Sequence, residues 1–271
     1  MRLIPVLLCF FPLCATPGLS AADKKTDKPA PLLLMEDFES TKDGQIPTGY
    51  TKNGAVGVVS DIAHSGQRAL RMDAATNGAR RITMAGPAIA ALGSSHWGRL
   101  YFKVQLPHAQ VNKDDPKIRV IHSTLVSAKA QSPLHKDPIE VRVLDTILFA
   151  SGKTNYIYNV QPKSRPEFAI GSKQDYQYSD QWTLAEWFVD YDTQTYTLFI
   201  NGEEIPKASF SNGAGKFEKS EIPAVFESMS FGWNNYQPAN PGFVSWIDDI
   251  ALSKERIGTQ GIPEVSKPPK K

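Results

Sequence analysis

From Leu100 to Leu106 the chain reads Leu-Tyr-Phe-Lys-Val-Gln-Leu, with an apolar residue at every second position. A period of two puts Leu100, Phe102, Val104 and Leu106 on one face of a β-strand and Tyr101, Lys103 and Gln105 on the other, a pattern no helix accommodates. Runs of similar character recur at 32–38, 69–73, 119–126, 139–148, 182–190, 195–200, 229–233 and 243–252, separated by Gly, Pro, Asn, Asp and Ser. Asp192-Thr193-Gln194 joins two of them as a hairpin, and Asn201-Gly202 ends the second with a residue pair suited to positive φ. Only 86–92 suggests a turn of helix, and no internal repeat is visible. Many short strands without long helices point to an all-β sandwich of two antiparallel sheets. Periodicity alone leaves an immunoglobulin-like sandwich and a jelly roll both open.

The ends of the chain bear on where such a sandwich works. Arg2 precedes an apolar stretch from Leu3 to Leu13 and the small residues Ser20, Ala21 and Ala22, the layout of a signal peptide cut after Ala22. The expected organisation is a signal peptide at 1–22, a Lys- and Pro-rich linker at 23–31, one domain at 32–260 and a disordered tail at 261–271. A secreted or periplasmic location is the corresponding expectation. Cys9 and Cys14 both fall in the removed segment, so the exported chain is expected to have no disulfide. No stretch approaches the roughly 18 continuous apolar residues of a membrane span, so no membrane insertion is expected. The formal charge is +2 and its carriers are scattered, which argues against nucleic acid as a partner. A monomer is expected.

Five segments narrow the fold: Glu36-Asp37-Phe38-Glu39; His64-Ser65-Gly66-Gln67-Arg68-Ala69-Leu70; Ile139 to Asp145; Leu198-Phe199-Ile200-Asn201-Gly202; and Phe231-Gly232-Trp233 with Trp246-Ile247-Asp248-Asp249-Ile250. Their order and spacing resemble the core domain of the cellulose-induced secreted proteins, a polysaccharide-lyase-like jelly roll related in fold to glucuronan lyases. The resemblance runs from about Leu34 to Gly258 and implies a concanavalin-like jelly-roll β-sandwich that meets extracellular or cell-wall polysaccharide.

In the final run, alternation places Asp248 with Val244, Trp246, Ile250 and Leu252 on the apolar face, leaving Asp249 for solvent. An ionised carboxylate there needs a partner, and the run contains no Lys or Arg. A structural Ca²⁺, which takes about six to eight oxygens, is the expected cofactor, with Glu39 as a second carboxylate. The resemblance adds Ser65 and Arg68 as main-chain ligands. The bland alternative is that Asp248 caps a neighbouring loop.

In the run 139–148, alternation groups Glu140, Arg142, Leu144 and Thr146 on one face against Val141, Val143, Asp145 and Ile147 on the other. The polar face is a candidate sugar groove. The resemblance matches Arg142 to the family's arginine, whereas Glu140 and Thr146 stand where it has histidine and glutamine. A uronate lyase neutralises the sugar carboxylate, a task for Arg142, and needs a base, for which His122 and Tyr156 or Tyr158 are candidates. Glycoside hydrolysis by Glu140 and Asp145 is disfavoured because alternation separates them. Among the aromatics, Trp246 is assigned to the core, while Trp233 and Tyr236 are the candidate stacking platform, with Thr146 as a further sugar contact. Three functions stand: carbohydrate binding, polysaccharide lyase activity, and a structural adhesion sandwich without a sugar ligand.

Overall fold

The computed structural model describes residues 30–112, 115 and 117–259. The assigned signal peptide, almost all of the linker and the tail lie outside the described residues, as do both cysteines. The strands are β1 (Leu32–Glu36), β2 (Tyr50–Asn53), β3 (Val56–Val59), β4 (Ala69–Ala75), β5 (Gly78–Ala85), β6 (Ser95–Val104), β7 (Gln110–Val111), β8 (Val120–Gln131) and β9 (Ile139–Phe149). They continue with β10 (Thr154–Gln161), β11 (Phe168–Gly171), β12 (Thr183–Asp190), β13 (Thr195–Ile200), β14 (Glu203–Glu204), β15 (Val225–Asn235), β16 (Ala239–Asn240) and β17 (Phe243–Ser253). A single helical turn, α1 (Pro87–Ala90), lies where 86–92 suggested one.

Two large antiparallel sheets result, and β7 pairs with β16 in a separate two-stranded one. One runs β14-β13-β12-β6-β17-β4-β3, with β1 also paired to β17, and the other runs β11-β10-β9-β8-β15-β5-β2. The expected two-sheet sandwich is therefore the observed one. Both sheets contribute to one core, in which Leu100, Phe102, Val104 and Trp187 of the first meet Val141, Val143, Phe231 and Trp233 of the second. Leu106, expected on the core face, lies beyond the end of β6 and is 44% exposed. Among the described residues no helix is long and apolar enough to cross a membrane.

Two features tie the layers together. Tyr158 and Tyr196 stack across the core at 4.2 Å, and the Tyr196 hydroxyl donates to the Val143 carbonyl at 2.6 Å. Arg80, 1% exposed, donates to the carbonyls of Asp73 and Phe243 and to Asn235 Oδ1. Burial lowers its pKa to about 10, so it is still charged at neutral pH. Gly98 lies flat beneath Trp187, where an added Cβ would come within 2.2 Å of the indole. The Asn201-Gly202 turn has φ of 51° and 83°, the positive pair its sequence suggested.

Candidate functional site

The outer face of the β11–β2 sheet holds a groove of about 760 Å³. Its lining is dominated by small hydroxyl groups and charges: Thr51, Thr83, Ser127, Ser230, Arg81 and Lys129. These residues alternate with core residues along their strands, so a two-residue period gives the sheet an apolar inner and a polar outer surface. Tyr236, just past β15, forms one wall and is partly exposed.

The chemistry concentrates around β8 and β9. Pairing on both sides of β9 slips at Val143–Leu144, a bulge that lets two consecutive apolar residues face the core. The bulge reverses the alternation beyond it. Asp145 therefore joins Arg142 and Glu140 on the outer face, and the expectation that it lies opposite Glu140 is corrected. His122 Nε2 lies 2.6 Å from Asp145 Oδ2, and Arg142 Nη1 lies 4.0 Å from the same oxygen. Burial raises the Asp145 pKa above the ordinary carboxylate range, against the pull of His122, Thr124 and Arg142. Asp145 is fully buried and held by His122, which keeps it from acting directly on a chain in the groove.

Arg142 is surrounded by acceptors. Its Nε lies 3.3 Å from Glu140 Oε1, its Nη2 donates to Gln161 Oε1 at 3.2 Å, and its guanidinium stacks 4.0 Å above the Tyr236 ring. The Tyr236 hydroxyl accepts from Thr124 Oγ1 at 3.2 Å and reaches Glu140 Oε1 at 3.4 Å. Burial pushes its pKa up, with Thr124 and Arg142 acting against that. The segment is placed by its backbone: Tyr236 N–H donates to the His122 carbonyl and His122 N–H to Gln237 Oε1. Arg80 pins the adjacent Asn235 from inside the sandwich.

Four other expected site residues lie elsewhere. Thr146, beyond the bulge, is fully buried and hydrogen-bonds the Tyr178 hydroxyl at 2.7 Å. Tyr156 and Tyr158 point into the core from β10, because they occupy the inner set of its alternation. Trp233 is fully buried against Phe243 and Tyr178 and offers no stacking surface. The tyrosine beside Arg142 is Tyr236, and it alone of the expected platform pair faces the groove. Tyr236 follows an aromatic and two amides, Trp233-Asn234-Asn235, the signal that singled it out.

At the other sheet, β17 pairing slips between Asp248 and Ala251, and Asp249 has φ 50°. This second bulge puts Ile247 and Ile250 in the core and Trp246 on the partly exposed outer face, correcting the buried assignment of Trp246. Asp249, expected in solvent, is fully buried, as is Asp248. The loop 61–68 covers both. Asp248 Oδ2 accepts from the amides of His64 and Ser65, while Asp249 meets His64 Nδ1 at 2.6 Å and Ser65 Oγ at 2.8 Å. Glu39 Oε1 grips the same loop through the amides of Gln67 and Arg68. Burial first, and Asp249 second, raise the Asp248 pKa to about 8. Among the described residues no three His, Cys, Asp or Glu side chains form a metal cluster.

No protein family matches the chain, and no curated protein does. The binding domain of botulinum neurotoxin serotype G superposes with a TM-score of 0.50 at 12% identity, over 83% of this chain and 48% of that one. Domain 4 of AbnA, a GH43 extracellular arabinanase from Geobacillus stearothermophilus in complex with arabinotriose, gives 0.49 at 19% identity, over 85% and 95%. The binding domain of Paraclostridial Mosquitocidal Protein 1 gives 0.48 at 15%, over 83% and 49%. The chain thus spans about half the length of the toxin binding domains it matches. At these identities the likeness is one of fold: the chain shares its β-sandwich with the neurotoxin binding domain.

Proposed function

We propose that this protein binds a polysaccharide chain along the outer face of the β11–β2 sheet, outside the cytoplasm. The observation that carries the reading is the groove itself, where hydroxyls and charged groups line the floor and a partly exposed tyrosine forms a wall. Sugars present apolar ring faces and dense hydroxyls, and recognition sites for them combine an aromatic surface with a few placed polar groups. The shared sandwich with a toxin binding domain and the resemblance to cellulose-induced secreted proteins agree with this use. The signal-peptide layout at the N-terminus supports export. Affinity electrophoresis through gels containing β-glucan, xylan, mannan or glucuronan tests the reading. Retardation in at least one gel is expected, and unretarded migration in all of them refutes it.

β-Elimination on a uronate chain is the second reading, favoured by the convergence of His122, Arg142 and Tyr236. His122 lies 5.1 Å from the Tyr236 ring, within reach of a shared substrate atom. Arg142 would face the sugar carboxylate, and either His122 or Tyr236 would take the C5 proton. Absorbance near 235 nm during incubation with glucuronan reports the unsaturated product, and a flat trace rules elimination out for that chain.

We also propose a structural Ca²⁺ between Glu39 and Asp248, completed by the carbonyls of Ser65 and Arg68. Its support is the pair of adjacent buried carboxylates at 248 and 249, whose like charge a divalent cation would offset, and the grip of Glu39 on the same loop. A cation there would tie β1, the 61–68 loop and β17 together in a sandwich expected to have no disulfide.

A further inference from the structure

We infer that Glu140 sets the specificity of the groove by standing in the place of a ligand's carboxylate, so that the central subsite takes an uncharged, hydroxyl-bearing sugar and disfavours a uronate. The inference rests on the groove being a glycan site. It starts from the surroundings of Arg142: Nε lies 3.3 Å from Glu140, Nη2 donates to Gln161, and Nη1 lies 4.0 Å from Asp145 Oδ2. The face of the guanidinium is covered by Tyr236. Glu140 and Gln161 each take one N–H, and at 9% exposure the side chain presents little of its remaining N–H groups to an incoming carboxylate.

Charge points the same way. Glu140 and Asp145 flank one guanidinium, so the cluster carries an excess negative charge whenever His122 is neutral. Arg81, Lys129 and Lys163 also line the groove, so a uronate would meet like charge only at the Glu140 end, which costs affinity in that subsite. Glu140 is also the cross-strand partner of Lys129, so the same carboxylate offsets a second cation lining the groove. Its side chain is 46% exposed whereas that of Arg142 is 9% exposed, so Glu140 presents this charge to the groove while Arg142 stays beneath it. A neutral sugar loses nothing to this arrangement. Its hydroxyls can donate to Glu140 and exchange hydrogen bonds with the Tyr236 hydroxyl, which links Glu140 to Thr124 beneath.

The test compares wild type with Glu140→Gln and Glu140→Ala, using neutral xylan and cello-oligosaccharides against glucuronan and polygalacturonate oligosaccharides in titration calorimetry. Both substitutions fall on an exposed strand position, and unchanged melting temperatures will confirm the fold. Glu140→Gln should tighten binding of the acidic oligosaccharides relative to the neutral ones by on the order of tenfold. Acidic chains bound equally or less tightly by both variants than by wild type would overturn the role of Glu140 while leaving the groove reading intact. Failure of every protein to bind either class would overturn the groove reading and this inference with it.

Discussion

His96 should make this sandwich acid-labile. It lies on β6 with no exposure, edge-on to Phe226 at 4.9 Å, and Trp187 Nε1–H points at its Nε2 from 3.4 Å. That contact leaves the ring proton on Nδ1, so protonation would set a new N–H against the indole donor. Burial, with a smaller contribution from Lys254, lowers its pKa from 6.5 to about 3. The unfolded chain therefore takes up the proton first. A depressed folded-state pKa contributes stability that is full above pH 6.5 and is lost as pH falls toward 3. At about 1.4 kcal/mol per unit, the loss is about 3 kcal/mol by pH 4.5 and about 4 kcal/mol by pH 3, where the folded-state ring is half protonated, a large part of a typical domain's stability. Urea unfolding of wild type and His96→Leu at pH 7, 6, 5 and 4 isolates this contribution, since every other acid effect is common to both. The wild type should fall faster below pH 6.5. Parallel loss in the two proteins would refute the argument.

Three further outcomes follow from the packing. Thr146→Val should cost about 1–3 kcal/mol, because the buried Tyr178 hydroxyl loses its partner, and should leave glycan affinity unchanged; a selective loss of binding would return Thr146 to the groove. Gly98→Ala should lower stability in urea by about 2–3 kcal/mol, since its Cβ would overlap the Trp187 ring, and an unchanged midpoint would contradict that close approach. Calcium in excess over a chelator should raise the melting temperature by about 5 °C or more in wild type and by much less in Asp248→Asn, and equal curves for wild type with and without calcium would count against the metal.

The two-sheet architecture was legible because it rests on alternation, and along β6 and β13 the alternation is uninterrupted. The site was less legible because it is built on two bulges. In β9 the consecutive apolar pair Val143-Leu144 was the available signal: only a slipped register lets both reach the core, and the slip carries Asp145 to the outer side beneath Arg142 and Thr146 to the inner one. In β17 the signal was Asp249, a residue type that tolerates positive φ, and the turn it makes buries the carboxylate that strict alternation exposes. The choice of Tyr236 over Tyr156 and Tyr158 depended on which strands neighbour β8. β15 does, and no local pattern states it. The buried clamp of Arg80 on Asn235 was likewise invisible, because it joins residues 155 positions apart.

The most direct measurement is the affinity of wild type, Tyr236→Ala and Trp97→Ala for one neutral glycan that retards the wild type. Tyr236 walls the groove, whereas Trp97 lies on the outer face of the other sheet, stacked on Phe188 at 4.8 Å. Loss of an aromatic that stacks on a sugar is worth about 1–3 kcal/mol, hence roughly tenfold or more in affinity. The account predicts that loss for Tyr236→Ala and none for Trp97→Ala. Loss confined to Trp97→Ala, or full affinity in both variants, would contradict the placement of the binding site on the β11–β2 sheet.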